Sequence, residues 1–342
     1  MLDAGISALL DAVGVRIGDR DKRLDNRDQL REILVTAVRM ATDAAEGRAD
    51  RLDLKIANSA LTEMRDAYLV LGPHRGTRKV TIFGSARTQP DDPLYELTKQ
   101  TAARLAADGW MIITGAGPGI MAAGLEGAGR EHALGVSIRL PFESQANAFV
   151  DASRLVDMRY FFTRKLALMR ESDAFIVMPG GFGTLDETFE LLTLIQTGKA
   201  TPVPVVMLGL GHGFWTAMHQ FVDKMIEEGY VSDGDRRLYT VTNSVEEAVG
   251  NVLAFYRNFH SIRWVGERLV VRVQRGPTSE QLAAVSTEFA SSTVDGRGIS
   301  LTTPLGEEVV EGDHLELARV VLQLNRRAPG RLRVLIDAVN QW

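Results

Sequence analysis

Cysteine is absent from the 342 residues. That absence removes disulfides, thiolate nucleophiles and Cys-ligated zinc or iron–sulfur centres together, and it fits a reducing compartment. Histidine is scarce: the six, at positions 74, 132, 212, 219, 260 and 314, show neither H-x-x-H nor H-E-x-x-H spacing, so no metal site is expected. No long run of one charge sign occurs. The 39 Lys and Arg against 44 Asp and Glu leave a net charge of −5, which gives no electrostatic support for binding a nucleic-acid backbone. No apolar stretch approaches the ~18 residues that cross a bilayer. Asp3 precedes the first short apolar run and no Lys or Arg comes early, the wrong start for a secretory signal. The expectation is a soluble cytoplasmic protein with no membrane or nucleic-acid partner.

What is present is a core-forming composition, 45% hydrophobic and 24% charged, which excludes intrinsic disorder. Apolar residues recur at helical spacing from Leu30 to Ala41 and from Leu52 to Leu71, so residues 1–75 read as a helical region closed by the turn Gly72-Pro73. Arg16–Arg31 alternates in charge, the pattern of a solvated face. From Lys79 onward short apolar runs alternate with helical stretches: Val80–Phe83, Met111–Thr114, Gly135–Leu140, Ala174–Met178 and Val203–Leu208, with Leu238–Thr242 as a weaker sixth. Such alternation predicts an α/β fold, a doubly wound, Rossmann-like parallel sheet over residues 76–256. Asp92 as N-cap and Pro93 as first helical residue start a helix that reaches about Asp108. Ligands in these sheets sit beyond the carboxyl ends of the strands, here the loops after Phe83, Ile113, Leu140 and Met178.

Residues 260–342 read as a small C-terminal α+β domain. The pattern predicts strand Arg268–Val273, helix Ser279–Phe289, strands near Ile299–Thr302 and Glu308–Val310, helix Leu315–Asn325 and strand Leu332–Ile336. The order βαββαβ is that of a ferredoxin-like unit.

Two glycine-rich turns stand where a strand gives way to a helix. The first is Thr114-Gly115-Ala116-Gly117-Pro118-Gly119-Ile120-Met121. Its glycines permit tight turning and close approach of a ligand, and the helix start favours an anion. A dinucleotide fingerprint would need a third glycine where Ile120 stands and an acid at the end of the next strand, and neither is there. The second is Met178-Pro179-Gly180-Gly181-Phe182-Gly183-Thr184-Leu185-Asp186-Glu187. It lacks the lysine of a P-loop, so a monophosphate suits it better than a triphosphate. Thr184-x-x-Glu187 also reads as a capping box, in which the carboxylate serves only the helix start. Tyr160-Phe161-Phe162-Thr163-Arg164-Lys165 places two cations beside three aromatics, either a core face with a solvated edge or a phosphate and base contact.

Taken in order with Leu140-Pro141-Phe142-Glu143 and Asn147, these segments resemble the LOG family of nucleoside 5′-monophosphate phosphoribohydrolases, whose members are often labelled lysine decarboxylases. The resemblance covers about residues 78–256. It implies that Arg164 and Glu187 are the catalytic pair, that Lys165 assists, and that Gly117, Gly119, Gly180, Gly181, Gly183 and Thr184 hold the substrate and its phosphate. Two departures are visible: Phe161 occupies the family's methionine position, and Gly115-Ala116-Gly117 replaces three glycines.

The resemblance further implies hydrolysis of the N-glycosidic bond of an AMP-like or cytokinin riboside monophosphate to free base and ribose 5-phosphate, with no cofactor. It also implies a homodimer or higher homo-oligomer, which the N-terminal helices would extend, while the C-terminal unit would bind a regulator by fold analogy. A nucleotide-binding sensor without turnover is the rival reading. An amino-acid decarboxylase would need a lysine in a recognisable pyridoxal phosphate context, and the sequence offers none. The catalytic reading requires the turns ending at Met121 and Thr184 to face one another.

Overall fold

The computed structural model describes residues 5–6, 8–10, 26–139, 147–211, 213–294, 296–325 and 330–342. Leu140, Pro141, Phe142, Glu143 and His212 lie outside them, as does most of the charge-alternating stretch after Arg16. The chain forms two compact units, residues 1–62 with 302–317, and residues 63–301 with 318–342.

In the first unit helix α1 (Asn26–Ala45) buries Val35 with Ile6 and Leu10, and Leu30 and Leu34 pack against them, the helical spacing of the sequence turned into a small core. Helix α2 (Arg51–Leu71) begins in this unit and ends in the second, where Ala67 and Leu71 are buried. Among the described residues no helix is long and apolar enough to cross a membrane.

The second unit is built on seven parallel strands: β1 (Lys79–Phe83), β2 (Met111–Thr114), β3 (Ala133–Ile138), β4 (Leu155–Met158), β5 (Ala174–Val177), β6 (Val205–Leu208) and β7 (Thr240–Thr242). Their order is β4-β3-β2-β1-β5-β6-β7. Helices cover both faces, so the central strands are wholly buried and mostly apolar, with only Lys79, Thr81 and Thr114 as polar exceptions. Val80, Ile82, Ile112 and Ile176 pack beneath α3 (Pro93–Ala107), α4 (Ile120–Ala128) and α8 (Val245–Phe255). Phe83, Ile113, Phe175 and Val177 face α5 (Phe161–Glu171), α6 (Phe182–Gln196) and α7 (Phe214–Glu227). Asp92 accepts from Leu94 N at 2.8 Å, and α3 ends one residue before Asp108, as its cap residues predict. Strand β4 escaped the sequence pattern because it is a short edge strand with Asp157 exposed in its middle. The chain runs outward from β1 to β4 on one side and from β5 to β7 on the other, so the carboxyl ends of β1 and β5 flank the topological switch point.

The C-terminal part holds a second, antiparallel sheet and departs from the ferredoxin-like order. Strands β8 (Phe259–Val265), β9 (Arg268–Val273), β10 (Ser300–Leu301) and β11 (Ala318–Leu322) lie in the order β10-β11-β9-β8, with α9 (Ser279–Phe289) and α10 (Gly330–Val339) packed on them. Helix α9 matches expectation and carries a Thr278/Gln281 capping box. Three expectations are corrected. Leu315–Asn325 contains β11 rather than a helix, because Val320, Leu322 and Leu324 alternate into the core. Leu332–Ile336 lies on a helix rather than a strand, since Leu332, Leu335, Ile336 and Val339 are buried at helical spacing. Glu308–Val310 belongs to the short helix Gly306–Glu311, which Gly312 closes in the left-handed region.

Candidate active site

Three loops meet at the switch point. Ser85, just past β1, donates its N–H to Pro179 O at 3.2 Å and accepts from Ile120 N at 3.0 Å, thereby tying both glycine-rich turns to one another. Ser85 lies in the loop after Phe83, one of the strand ends expected to border a ligand, and carries no sequence signal of its own. Gly119, at the start of α4, has a φ of 67°, and a Cβ there would run into the Ser85 carbonyl. Gly117 O accepts from Asn147 Nδ2 at 3.1 Å, which pins the first turn from the far side. Ala116 adopts a φ of 53°, a conformation that costs an L residue about 1–2 kcal/mol. It is the position where the family pattern has glycine. On the second turn, a Cβ at Gly180 would collide with Thr184 Oγ1, whereas at Gly181 and Gly183 it would meet only open space.

Helix α6 starts at Phe182 with Gly181 as N-cap and no side-chain cap bond. This corrects the capping-box alternative: Thr184 lies inside the helix, and the Glu187 carboxylate is directed elsewhere. It meets Arg164. Arg164, in the first turn of α5, donates from Nη1 to Glu187 Oε1 at 3.2 Å and from Nε to Val136 O at 3.0 Å. Its guanidinium also fills the space over Gly115, where any Cβ would strike Nη2. Both side chains are buried, at 7% and 8% residual exposure, so their interaction is poorly screened. Burial pushes the Glu187 carboxyl above its ordinary range, and the charges of Arg164 and Lys165 oppose that push.

Lys165 sits on the flank of this pair and binds Asp186 at 2.6 Å and Glu190 at 2.8 Å. Burial works against its charge, but the hydrogen bonds to those carboxylates prevail and raise its pKa. Glu63, like Ser85, has no sequence signal. Glu63, buried on α2, accepts from Arg159 N at 3.1 Å, Tyr160 N at 3.3 Å and Thr163 Oγ1 at 2.5 Å, and so caps the helix that carries Arg164 from nearly a hundred residues away. The structure therefore brings Arg164, Glu187 and the two turns together, with Lys165 beside them.

The family described as "possible lysine decarboxylase" matches residues 118–252. A cytokinin riboside 5′-monophosphate phosphoribohydrolase of Arabidopsis thaliana, LOG7, is 32% identical over 136 residues, which are 39% of this chain and 60% of that protein. The chain thus spans little more than half the length of the first curated relatives it matches. A probable enzyme of that name from Oryza sativa subsp. japonica, LOGL3, is 30% identical over 194 residues, 54% of this chain and 87% of that protein. Among solved structures, the molybdenum cofactor carrier protein of Chlamydomonas reinhardtii is 20% identical over 52% of this chain and 96% of its own, with a TM-score of 0.38. With that coverage of a relative by matched sequence, and with both glycine-rich turns and the Arg164–Glu187 pair in one place, the chain belongs to the LOG family.

Proposed function

We propose that this protein hydrolyses the N-glycosidic bond of nucleoside 5′-monophosphates, of the cytokinin riboside or AMP type, to free base and ribose 5-phosphate. The observation that carries the reading is the buried Arg164–Glu187 pair beside the open start of α6. Helix starts expose N–H donors and a positive dipole end, and Gly181 and Gly183 leave room for an anion against the backbone. A phosphate held by these residues and Thr184, with Gly117 and Gly119 lining the opposite turn, sets the pentose against Glu187.

The bond to the base breaks through an oxocarbenium-like state. A carboxylate next to C1′ stabilises that positive charge and orients the attacking water. Water adds to C1′ as the electron pair leaves with the base nitrogen, which takes up a proton. Burial raises the Glu187 pKa, Arg164 opposes that rise and positions the substrate, and the phosphate grip supplies orientation. Lys165, locked to Asp186 and Glu190, adds positive charge at the rim. Phe161 in the methionine position is a candidate determinant of base preference.

A homodimer or larger assembly accords with this reading, because Phe161, Phe162 and Phe182, adjacent in sequence to the site residues, are 53%, 54% and 93% exposed. Sedimentation of a monomer at micromolar concentration would refute that assembly. The activity is tested by incubating the protein with each common nucleoside monophosphate and with isopentenyladenosine monophosphate, followed by chromatography. Base and ribose 5-phosphate in equal amounts are expected. Binding without base release would instead identify a nucleotide sensor.

A further inference from the structure

A cavity of about 430 Å³ lies between the turn after α6 and the outer strand β8 of the small sheet. Its size falls within the ~300–1,000 Å³ typical of small-molecule sites. Ile195, Pro202, Ile262, Leu324 and Leu332 give it an apolar floor. Trp264, 39% exposed, forms one wall beside Arg263, which has partners within the protein, and Lys199 stands at the rim without an ion-pair partner among the described residues.

The rim is rigid. Gly198 has a φ of 70°, its N–H bonds Ile195 O at 3.1 Å, and Lys199 N and Ala200 N both bond Leu194 O, at 2.8 and 3.0 Å. This is a Schellman closure, and it satisfies the carbonyls that would otherwise make a helix end repel anions. The charge that an entering molecule meets from this turn is therefore the Lys199 ammonium. Ile195 lies two turns beyond Glu187 on α6, about 12 Å along the axis, so the cavity is separate from the site of the Arg164–Glu187 pair.

An apolar floor, an indole wall, the unpaired Lys199 ammonium and a partnered Arg263 beside the indole select a particular chemistry. A polyphosphate would need more free charge than one unpaired lysine and one already engaged arginine supply, and a neutral hydrocarbon would leave Lys199 without a role. We propose that this cavity is a binding site for a small organic monoanion with an aromatic body.

The probe is 8-anilinonaphthalene-1-sulfonate, titrated into the full-length protein by fluorescence, with ribose 5-phosphate as competitor. Saturable binding is expected, undisturbed by ribose 5-phosphate. Lys199→Glu should weaken it tenfold or more, and Thr197→Trp, which fills the cavity from an exposed position, should abolish it, with melting temperature and circular dichroism retained. Thr201→Trp, at another rim position, replaces Thr197→Trp should that variant lose its melting transition. Absent or unsaturable binding, displacement by ribose 5-phosphate, or a change of less than twofold in either variant overturns the proposal. None of these readouts depends on nucleotide hydrolysis, so its failure and that of the enzymatic reading are distinguishable.

Discussion

The two glycine-rich turns look alike in sequence and differ in three dimensions. The first is closed: Gly115 is filled by Arg164, and Gly119 abuts the Ser85 carbonyl. The second is open at Gly181 and Gly183, where no protein atom would touch an added Cβ. Glycine in the closed turn is demanded by the protein's own packing. Gly180 of the second turn is likewise packed, against Thr184, but at Gly181 and Gly183 packing demands nothing, which is the room the proposed contact with a ligand needs. Arg164 and Glu187 link the two, the arginine filling the closed turn and the glutamate rising from the helix that begins at the open one.

The largest effect should come from that link. Glu187→Gln is expected to lower kcat on a nucleoside monophosphate by about 10²–10³-fold while the protein still folds and binds nucleotide. Hydrolysis retained at the parental rate would leave Glu187 a structural residue. Because burial raises its pKa, Glu187 holds its proton in the folded state to higher pH than in the unfolded chain. Stability should therefore decline as pH rises from the ordinary carboxylate range, about 4.3, through the raised value, and Glu187→Gln should remove that decline. The acid limb of kcat/KM should lie above the ordinary glutamate range for the same reason.

Next in size, Gly119→Val tests the closed turn. It places a branched side chain at positive φ against backbone, and a loss of about 3–5 kcal/mol in thermal or urea unfolding is expected. A loss under about 1 kcal/mol would show that this turn yields. Glu63→Ala removes the acceptor for three donors at the start of α5, at about 2–3 kcal/mol of stability, and kcat/KM should fall because Arg164 loses its anchored helix. Activity unchanged in that variant would separate the cap from the site.

The smallest expected change in stability decides most about the open turn. Gly183→Ala should leave stability within about 0.5 kcal/mol of the parent, or raise it, since alanine favours helix. Nucleotide affinity should nevertheless drop about tenfold. Calorimetric binding equal to that of the parent would mean that no ligand rests on this backbone.

Much of the architecture was legible because burial on both sides leaves strands largely apolar, as in Ala174–Val177, and because a cap such as Asp92 is local chemistry. The small sheet was less legible. Strand β11 follows directly on a segment rich in helix formers, and Leu332–Ile336 seen without Val339 is too short a window to reveal its helical period. The site was legible in its residue types, since two glycine-rich turns and an adjacent Arg-Lys pair are local patterns. Its geometry was not. Thr184-x-x-Glu187 supports a capping box on spacing alone, and only the start of α6 at Phe182, with Arg164 across the gap, gives the carboxylate another partner.

Residue order alone therefore settled most strands of the parallel sheet and the places of its two glycine-rich turns, because propensity, capping and alternation act over a few residues. The fold alone decided that Ser85 joins the turns, that Glu63 caps the arginine's helix and that one turn is shut while the other stays open. Those contacts link residues some thirty to a hundred positions apart, and such distances close only when the sheet has ordered its strands.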